Sequence, residues 1–336
     1  MEYRLLGHTG LKVSALCLGT MTFGSRFLNI ATVPQSEADD MVRRAWDAGI
    51  NFFDTADVYS RGESEEILGK ALKNAGIDRD EAIVATKVRG SMSDTDPNAV
   101  GLSRKHIMAA CDASLRRLGT DHIDLYQVHG WDCITPMDET LRALDDLVCT
   151  GKVRYLGCSN WPARHIARAQ ALAECGQWPG FASLQAYYSL AGRDLEHELL
   201  PLCREQDMAV LPWSPLSGGF LTGKFRRDAA APADARRADF DFPPVDRERG
   251  YDAIDAAEAI GKQTGASIAQ VSLAWLLAQT GVTSVIIGAK RKNQLEDNLR
   301  AADIALSGEQ IERLSQTTAP PTLYPQWMVE RQNSNR

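Results

Sequence analysis

The 336-residue chain is predicted to be an α/β protein of the closed (β/α)8 (TIM) barrel type, on three observations. Eight short apolar runs alternate along it with longer stretches of helical period, the signature of repeated βα units. A count of eight favours a closed barrel, since open doubly wound sheets more often have about five to seven strands. The length fits a single α/β barrel, so residues 1–336 are expected to form one domain.

In order, the chain opens with an expected N-terminal β-hairpin, Tyr3-Arg4-Leu5-Leu6 and Lys12-Val13 around the turn His8-Thr9-Gly10. The eight barrel strands are then expected at Ala15–Leu18, Phe52–Asp54, Ala82–Thr86, Ile123–Val128, Val153–Cys158, Ala182–Ala186, Ala209–Trp213 and Val285–Ile287. Helix starts are read at Ser36 with Asp39 three residues on, and at Thr135-Pro136 followed by Asp138. Gly49, Gly76, Gly119 and Gly151 are suited to the left-handed conformation that stops a helix. Two stretches lack an apolar period: Arg226–Arg249 and the tail from Thr317 to Arg336. The first follows the seventh strand and so belongs to the long loops of the barrel's C-terminal face, read as a flap over a site, with a disordered surface insertion as the alternative.

The composition, 44% apolar and 24% charged, is that of a globular chain. A net charge of −7 argues against a surface built for nucleic acid or anionic lipid, so any phosphate site is local. No window approaches the roughly 18 apolar residues of a membrane span. The first twenty residues are charged throughout and lack the core of a signal peptide, so a cytoplasmic protein is expected. The seven cysteines include no Cys-x-x-Cys pair and read as reduced, small apolar side chains, without a metal site.

Reactive groups of a barrel stand at the C-terminal ends of its strands. Asp54 ends the second run, Tyr59 follows it in a loop, Lys87 ends the third run and His129 the fourth. Residues on successive strands can converge. Asp54 would keep a desolvated Lys87 charged, and that cation is expected to pull the Tyr59 hydroxyl below its ordinary pKa, making it a proton donor. His129 would give the same carbonyl oxygen a second hydrogen bond, polarising the carbon toward hydride.

The segments Asn51-Phe52-Phe53-Asp54-Thr55-Ala56-Asp57-Val58-Tyr59, Ala85-Thr86-Lys87, Asp124-Leu125-Tyr126-Gln127-Val128-His129 and Gly157-Cys158-Ser159-Asn160 resemble those of the aldo-keto reductases, in particular the bacterial aryl-alcohol-dehydrogenase-like branch. The resemblance runs from Tyr3 to Leu314. It implies Tyr59 as general acid, Asp54 and Lys87 as its tuning pair and His129 as orienter of a small-molecule carbonyl substrate.

The same resemblance implies an extended nicotinamide dinucleotide bound without a Gly-x-Gly-x-x-Gly loop, none of which follows the first strand. Gly19, Thr20, Met21 and Asp54 would lie near it, Ser159, Asn160 and Gln185 would hold its carboxamide, and Trp213 would stack on its ring. Ser214, Pro215, Leu216, Gly218, Leu221 and Lys224 fall in a segment similar to the family's pyrophosphate loop, where glycine allows close backbone approach. Gly288, Lys290, Arg291, Gln294, Asp297 and Asn298 match the segment for the adenosine end. Three basic residues, Lys290, Arg291 and Lys292, at a helix start suit a 2′-phosphate, which favours NADPH while leaving NADH possible.

For substrate, Phe23, Phe27, Trp131 and Trp161, with Trp327 from the tail, are expected to form an apolar cup for an aromatic or bulky carbonyl compound. Two other functions keep the same residues: a cofactor-binding regulatory subunit with little turnover, since relatives of this family serve as beta subunits of voltage-gated potassium channels, and a Schiff-base aldolase on Lys87. Turnover separates the first from a reductase, and borohydride trapping would reveal the second. Oligomeric state has no signal in the sequence.

Overall fold

The structure is a computed structural model that describes residues 1–25, 33–228, 237 and 240–334. An antiparallel hairpin, β1 (Tyr3–Leu5) and β2 (Lys12–Ser14), precedes an eight-stranded parallel sheet. Its strands are β3 (Leu16–Gly19), β4 (Phe52–Asp54), β5 (Ile83–Val88), β6 (Ile123–Val128), β7 (Val153–Ser159), β8 (Phe181–Tyr187), β9 (Ala209–Trp213) and β10 (Val285–Ile287), in the spatial order β10-β3-β4-β5-β6-β7-β8-β9. The ring is completed beyond β9, where the Thr283 amide donates to Val210 O (2.9 Å) and the Val210 amide to Gly281 O (3.2 Å). The fold is thus the (β/α)8 barrel with an N-terminal hairpin, and the eight expected strands lie within one to two residues of their predicted bounds.

Alternation along the strands explains the two layers of core. Phe52, Ile83, Ala85, Leu125, Leu211 and Ile286 fill the barrel interior with Leu6 and Val13 of the hairpin segment. The intervening Phe53, Val84, Tyr126 and Val210 face outward into the larger core beneath the helices. The hairpin closes the lower end at Gly7, whose φ is +57° and where a Cβ would come within 2.5 Å of Ala182 O. A glycine is required there by both backbone and space.

The outer helices are α1 (Gln35–Asp47), α2 (Glu63–Asn74), α3 (Arg104–Leu118), α4 (Met137–Cys149), α5 (Ala163–Gly176), α6 (Leu199–Glu205), α7 (Arg247–Thr264), α8 (Ile268–Leu277), α9 (Lys292–Leu299), α10 (Gly308–Thr317) and α11 (Gln326–Asn333). The four glycines expected at helix ends all take positive φ. The two expected caps are displaced: Pro34 is the N-cap of α1 and Pro136 of α4, each without a side-chain cap. Both proline caps are extended, so the helix begins after them, and the two polar residues are left inside or outside it. Ser36 lies within α1, while the Thr135 hydroxyl donates to Asp132 Oδ2 (2.7 Å). Side-chain caps occur instead at Ser103, Asp246, Ser267 and Ser307, the last two closed reciprocally by Gln270 and Gln310.

The stretches expected to be irregular are partly helical. Asp246 caps α7, so Arg247–Arg249 belong to a helix, and the tail forms α11, a helix with no buried residue, which explains the missing apolar period. Of the cysteines, Cys17, Cys111, Cys158 and Cys203 are buried as expected, whereas Cys133, Cys149 and Cys175 are exposed.

Candidate active site at the C-terminal mouth of the barrel

Strand register brings the four candidate residues together. Asp54 ends β4 opposite Ala85 of β5; Lys87 lies two residues further along β5, opposite Gln127; and His129 follows β6 directly. Tyr59 opens a short 3-10 turn, Tyr59–Gly62, in which Ser60 and Arg61 have φ of 48° and 55°. That turn is anchored by three hydroxyls: Ser64 donates to Thr20 O (2.8 Å) and lies 2.9 Å from the Thr20 hydroxyl and 3.0 Å from that of Thr55.

The centre of the site is the Lys87 ammonium, which is fully buried. It donates to Asp54 Oδ1 (2.5 Å) and Thr55 O (2.8 Å), and reaches the Tyr59 hydroxyl at 3.3 Å. The other carboxylate oxygen of Asp54 accepts from Gln127 Nε2 (3.0 Å) and Gln185 Nε2 (2.8 Å), so the buried charge is paired and solvated by amides. The rings of Tyr59 and His129 meet edge to face, 5.7 Å between centroids.

Burial disfavours the Lys87 cation, yet the Asp54 carboxylate and Tyr59 outweigh it and hold the ammonium above its ordinary value. Tyr59 departs from the sequence expectation: burial raises its hydroxyl, and the opposing pull of Lys87 is smaller, so the net direction is up rather than down. The hydroxyl therefore keeps its proton at neutral pH. His129 is driven well below its usual range by burial, then by Lys87 and Arg89, and is a neutral imidazole. Behind Tyr59, Asp57 is fully buried with neither carboxyl oxygen hydrogen-bonded, and burial together with nearby Glu65 lifts it to about 8. Glu65 itself accepts from Thr86 Oγ1 (2.5 Å) and Arg117 Nε (2.6 Å).

The residues expected to hold a dinucleotide ring the same mouth. Ser159 and Gln185 are register partners on β7 and β8. Asn160, at φ 56°, donates to His129 O (3.1 Å) and Ser159 Oγ (2.9 Å), and accepts from Trp213 Nε1 (3.1 Å). Trp213 has Tyr187 at 5.2 Å and Phe242 stacked nearly parallel at 5.7 Å. Gly19 ends β3, where a Cβ would strike Ile286 at 2.7 Å; Thr20 is buried and Met21 partly exposed.

Beyond β9, Ser214, Ser217, Gly218 and Gly219 all take positive φ, and the Gly218 amide donates to Ser214 Oγ (2.9 Å). Pro215 and Leu221 are buried, Leu216 is half-buried and Lys224 is exposed. At the far end, α9 starts at Lys292, and Gln294 Oε1 accepts from the amides of Lys290 (3.0 Å) and Arg291 (3.2 Å). Asn298 donates to Gly288 O (3.3 Å), and Asp297 accepts from Ser267 Oγ (2.9 Å) and Gln270 Nε2 (2.7 Å).

The aromatic residues are distributed differently from a cup. Phe23 and Trp161 are 1% and 2% exposed and belong to the core, Trp131 is half-buried and stacks on His165 at 4.0 Å, and Trp327 is 43% exposed on α11. Phe27 lies outside the described residues. Sequence reasoning passed over Gln127 and Glu65, which read as ordinary polar residues of a strand and a helix. It also passed over Arg237, whose guanidinium donates to Ser217 O (2.8 Å), pairs with Asp241 and lies over the Phe220 ring. Its only sequence signal was a position in an unpatterned stretch.

An eight-stranded barrel thus carries an Asp–Lys–Tyr cluster and a neutral histidine side by side at its C-terminal mouth, groups able to hydrogen-bond one oxygen. The family model described as the aldo/keto reductase family matches residues 15–319, and the chain belongs to that family. It is an oxidoreductase by that membership. Among its relatives, "Uncharacterized oxidoreductase YrpG" of Bacillus subtilis is 40% identical over 94% of this chain and 95% of its own. "Versiconal hemiacetal acetate reductase" of Aspergillus parasiticus is 35% identical over 97% and 99%. "Probable voltage-gated potassium channel subunit beta" of Oryza sativa subsp. japonica is 36% identical over 90% and 92%. No helix among the described residues is long and apolar enough to cross a membrane.

Proposed function

We propose that the protein, a single barrel domain acting in the cytoplasm, reduces an aldehyde or ketone to the alcohol with NADPH, and that Tyr59 is the general acid. The observation that carries this reading is the buried Lys87 ammonium shared between Asp54 and the Tyr59 hydroxyl, beside a neutral His129. When bound, NADPH supplies the hydride that the carbonyl carbon takes up. His129, as neutral imidazole, can donate one hydrogen bond to the carbonyl oxygen without giving up its proton. Tyr59 donates its own proton to that oxygen as negative charge builds there, and Lys87 stabilises the phenolate left behind. Asp54, fixed by Gln127 and Gln185, keeps Lys87 in place and charged.

The residues present suit the dinucleotide. Ser159, Asn160 and Gln185 group hydroxyl and amide atoms beside Asp54, which supports their holding a carboxamide, and the Trp213 indole, now beside Phe242, is a flat face suited to a ring. The left-handed residues of 214–219 shape a backbone cradle, and Lys290, Arg291 and Lys292 surround the start of α9, which supports NADPH over NADH. Relatives named as aryl-alcohol dehydrogenase and as reductases support an aromatic or bulky substrate.

The test is loss of reduced-nicotinamide absorbance with aromatic and aliphatic aldehydes and ketones, with NADPH and NADH. Tyr59→Phe is expected to lower kcat by about 10²–10⁴-fold. Its affinity for NADPH, followed by cofactor fluorescence, should be kept. A second reading has support from the relative named as a potassium channel beta subunit. Tight NADPH binding without turnover of any carbonyl compound would replace the reductase reading with that of a cofactor-bound regulatory protein.

A further inference from the structure

Arg89 stands two residues beyond Lys87, at the rim of the same mouth. On β5, Ile83 and Ala85 point into the barrel and Lys87 into the site; Arg89 follows the strand's last residue, Val88, close enough for its charge to act on His129. Its φ is 148°, a region normally left to glycine, and strain of this kind collects at functional sites. Three contacts fix the residue there. Its carbonyl accepts from the Gly101 amide (3.0 Å), and its Nε donates to Trp131 O (3.0 Å). Its stem crosses Gly130, where a Cβ would meet Arg89 Cδ at 3.3 Å and Nε at 3.4 Å, so the residue after His129 leaves room for the arginine.

Among the described residues the guanidinium is tethered through Nε, and the side chain is exposed. Among the described residues no carboxylate pairs with it. Other arginines near the site are paired: Arg61 with Asp94, Arg117 with Glu65 and Arg237 with Asp241. Its charge is felt in the site, because it adds to the burial that keeps His129 neutral. An arginine held by one nitrogen presents the other two as a planar fork, the geometry that matches a carboxylate. On a chain of net charge −7, such a fork is a local exception that an anion would seek.

We propose that Arg89 selects carbonyl substrates that carry a carboxylate, gripping the anion at the rim while the carbonyl oxygen lies at Tyr59 and His129. This rests on the reductase reading, since it names the substrate class of that site. The Trp131 ring is itself engaged by His165 and Trp161, so the grip on the substrate comes from the two polar ends, and an aldehyde acid meets both requirements.

The experiment compares 4-carboxybenzaldehyde with its methyl ester, with NADPH, in wild type, Arg89→Lys and Arg89→Gln. Wild type is expected to favour the acid by at least tenfold in kcat/KM, with the preference shrinking as salt is raised. In Arg89→Gln the acid-to-ester ratio should fall at least tenfold through KM for the acid, and Arg89→Lys should keep part of it. Equal use of acid and ester by wild type would overturn the proposal while leaving the reductase intact. So would an equal loss on both substrates in Arg89→Gln, which is the mark of a residue that only tethers Trp131, or a raised KM for NADPH, which would place Arg89 on the cofactor. No turnover of either aldehyde by wild type would remove the reductase reading together with this one.

Discussion

The two ends of the barrel interior are made from the same strands and differ in almost every physical respect. At the lower end Phe52, Ile83, Leu125 and Leu211 enclose hydrocarbon, sealed by Leu6 and Val13 of the hairpin segment. One step of two residues along each strand replaces them by Asp54, Lys87 (two steps on from Ile83), Gln127 and Trp213. The floor is stabilised by removing apolar surface from water, a non-directional effect that tolerates similar shapes. The mouth places charges in a poorly solvated space, where each must find its partner in a particular direction. Stability and chemistry are thus separated along the strand axis, and mutations at the two ends should fail differently.

The largest effect is expected from Lys87→Met, which leaves Asp54 buried without its cation. A loss of about 3–5 kcal/mol in urea unfolding is expected, with turnover abolished. Adding Asp54→Asn should restore much of the stability and none of the activity, because the pair then contains no uncompensated charge. If the single variant were as stable as wild type, the view of the mouth as a set of obligate pairs would be wrong.

Leu125→Ala, at the floor on β6, should cost about 2–5 kcal/mol through a cavity in the closed interior. Its KM for NADPH and carbonyl substrates should stay close to wild type below the melting transition. A large change in KM at this site would show that floor and mouth are coupled after all.

The effect of opposite sign, spread over several pH units, concerns Asp57. Its folded-state pKa is raised to about 8, so the folded protein holds a proton that the unfolded chain has lost between roughly pH 4 and pH 8. Stability from this group is therefore complete below pH 4 and declines as pH rises toward 8. Glu65, Arg117, Lys87, Tyr59 and Tyr126 are the charged and titratable groups whose fields it shares. Asp57→Asn removes the titration, and the variant should gain on wild type steadily between pH 5 and pH 8, by up to about 4 kcal/mol. Parallel stability curves for the two proteins over that interval would contradict it.

The order of strands and the identity of Asp54, Tyr59, Lys87 and His129 were legible in the sequence because both depend on short-range patterns. An apolar run followed by a reactive residue is a local fact, and in a parallel barrel every such run ends on the same face. Helix starts were less legible. Proline at 34 and 136 moved the N-caps away from Ser36 and Thr135, and the serines that do cap were visible only as ordinary polar residues. The helix in the tail was hidden because it buries nothing and so leaves no periodic trace.

What the sequence determined by itself was the barrel and the chemical groups at its mouth, since polarity alternation and strand ends need no knowledge of distant partners. What only the tertiary structure decided was the state and the company of those groups. Tyr59 stands above rather than below its ordinary pKa because enclosure by other strands outweighs one neighbouring cation. Among the described residues Arg89 has no carboxylate while Arg117 and Arg237 have theirs, and Asp297 turns to Ser267 and Gln270. Desolvation and pairing are sums over everything packed around a group, and most of those neighbours are far away along the chain.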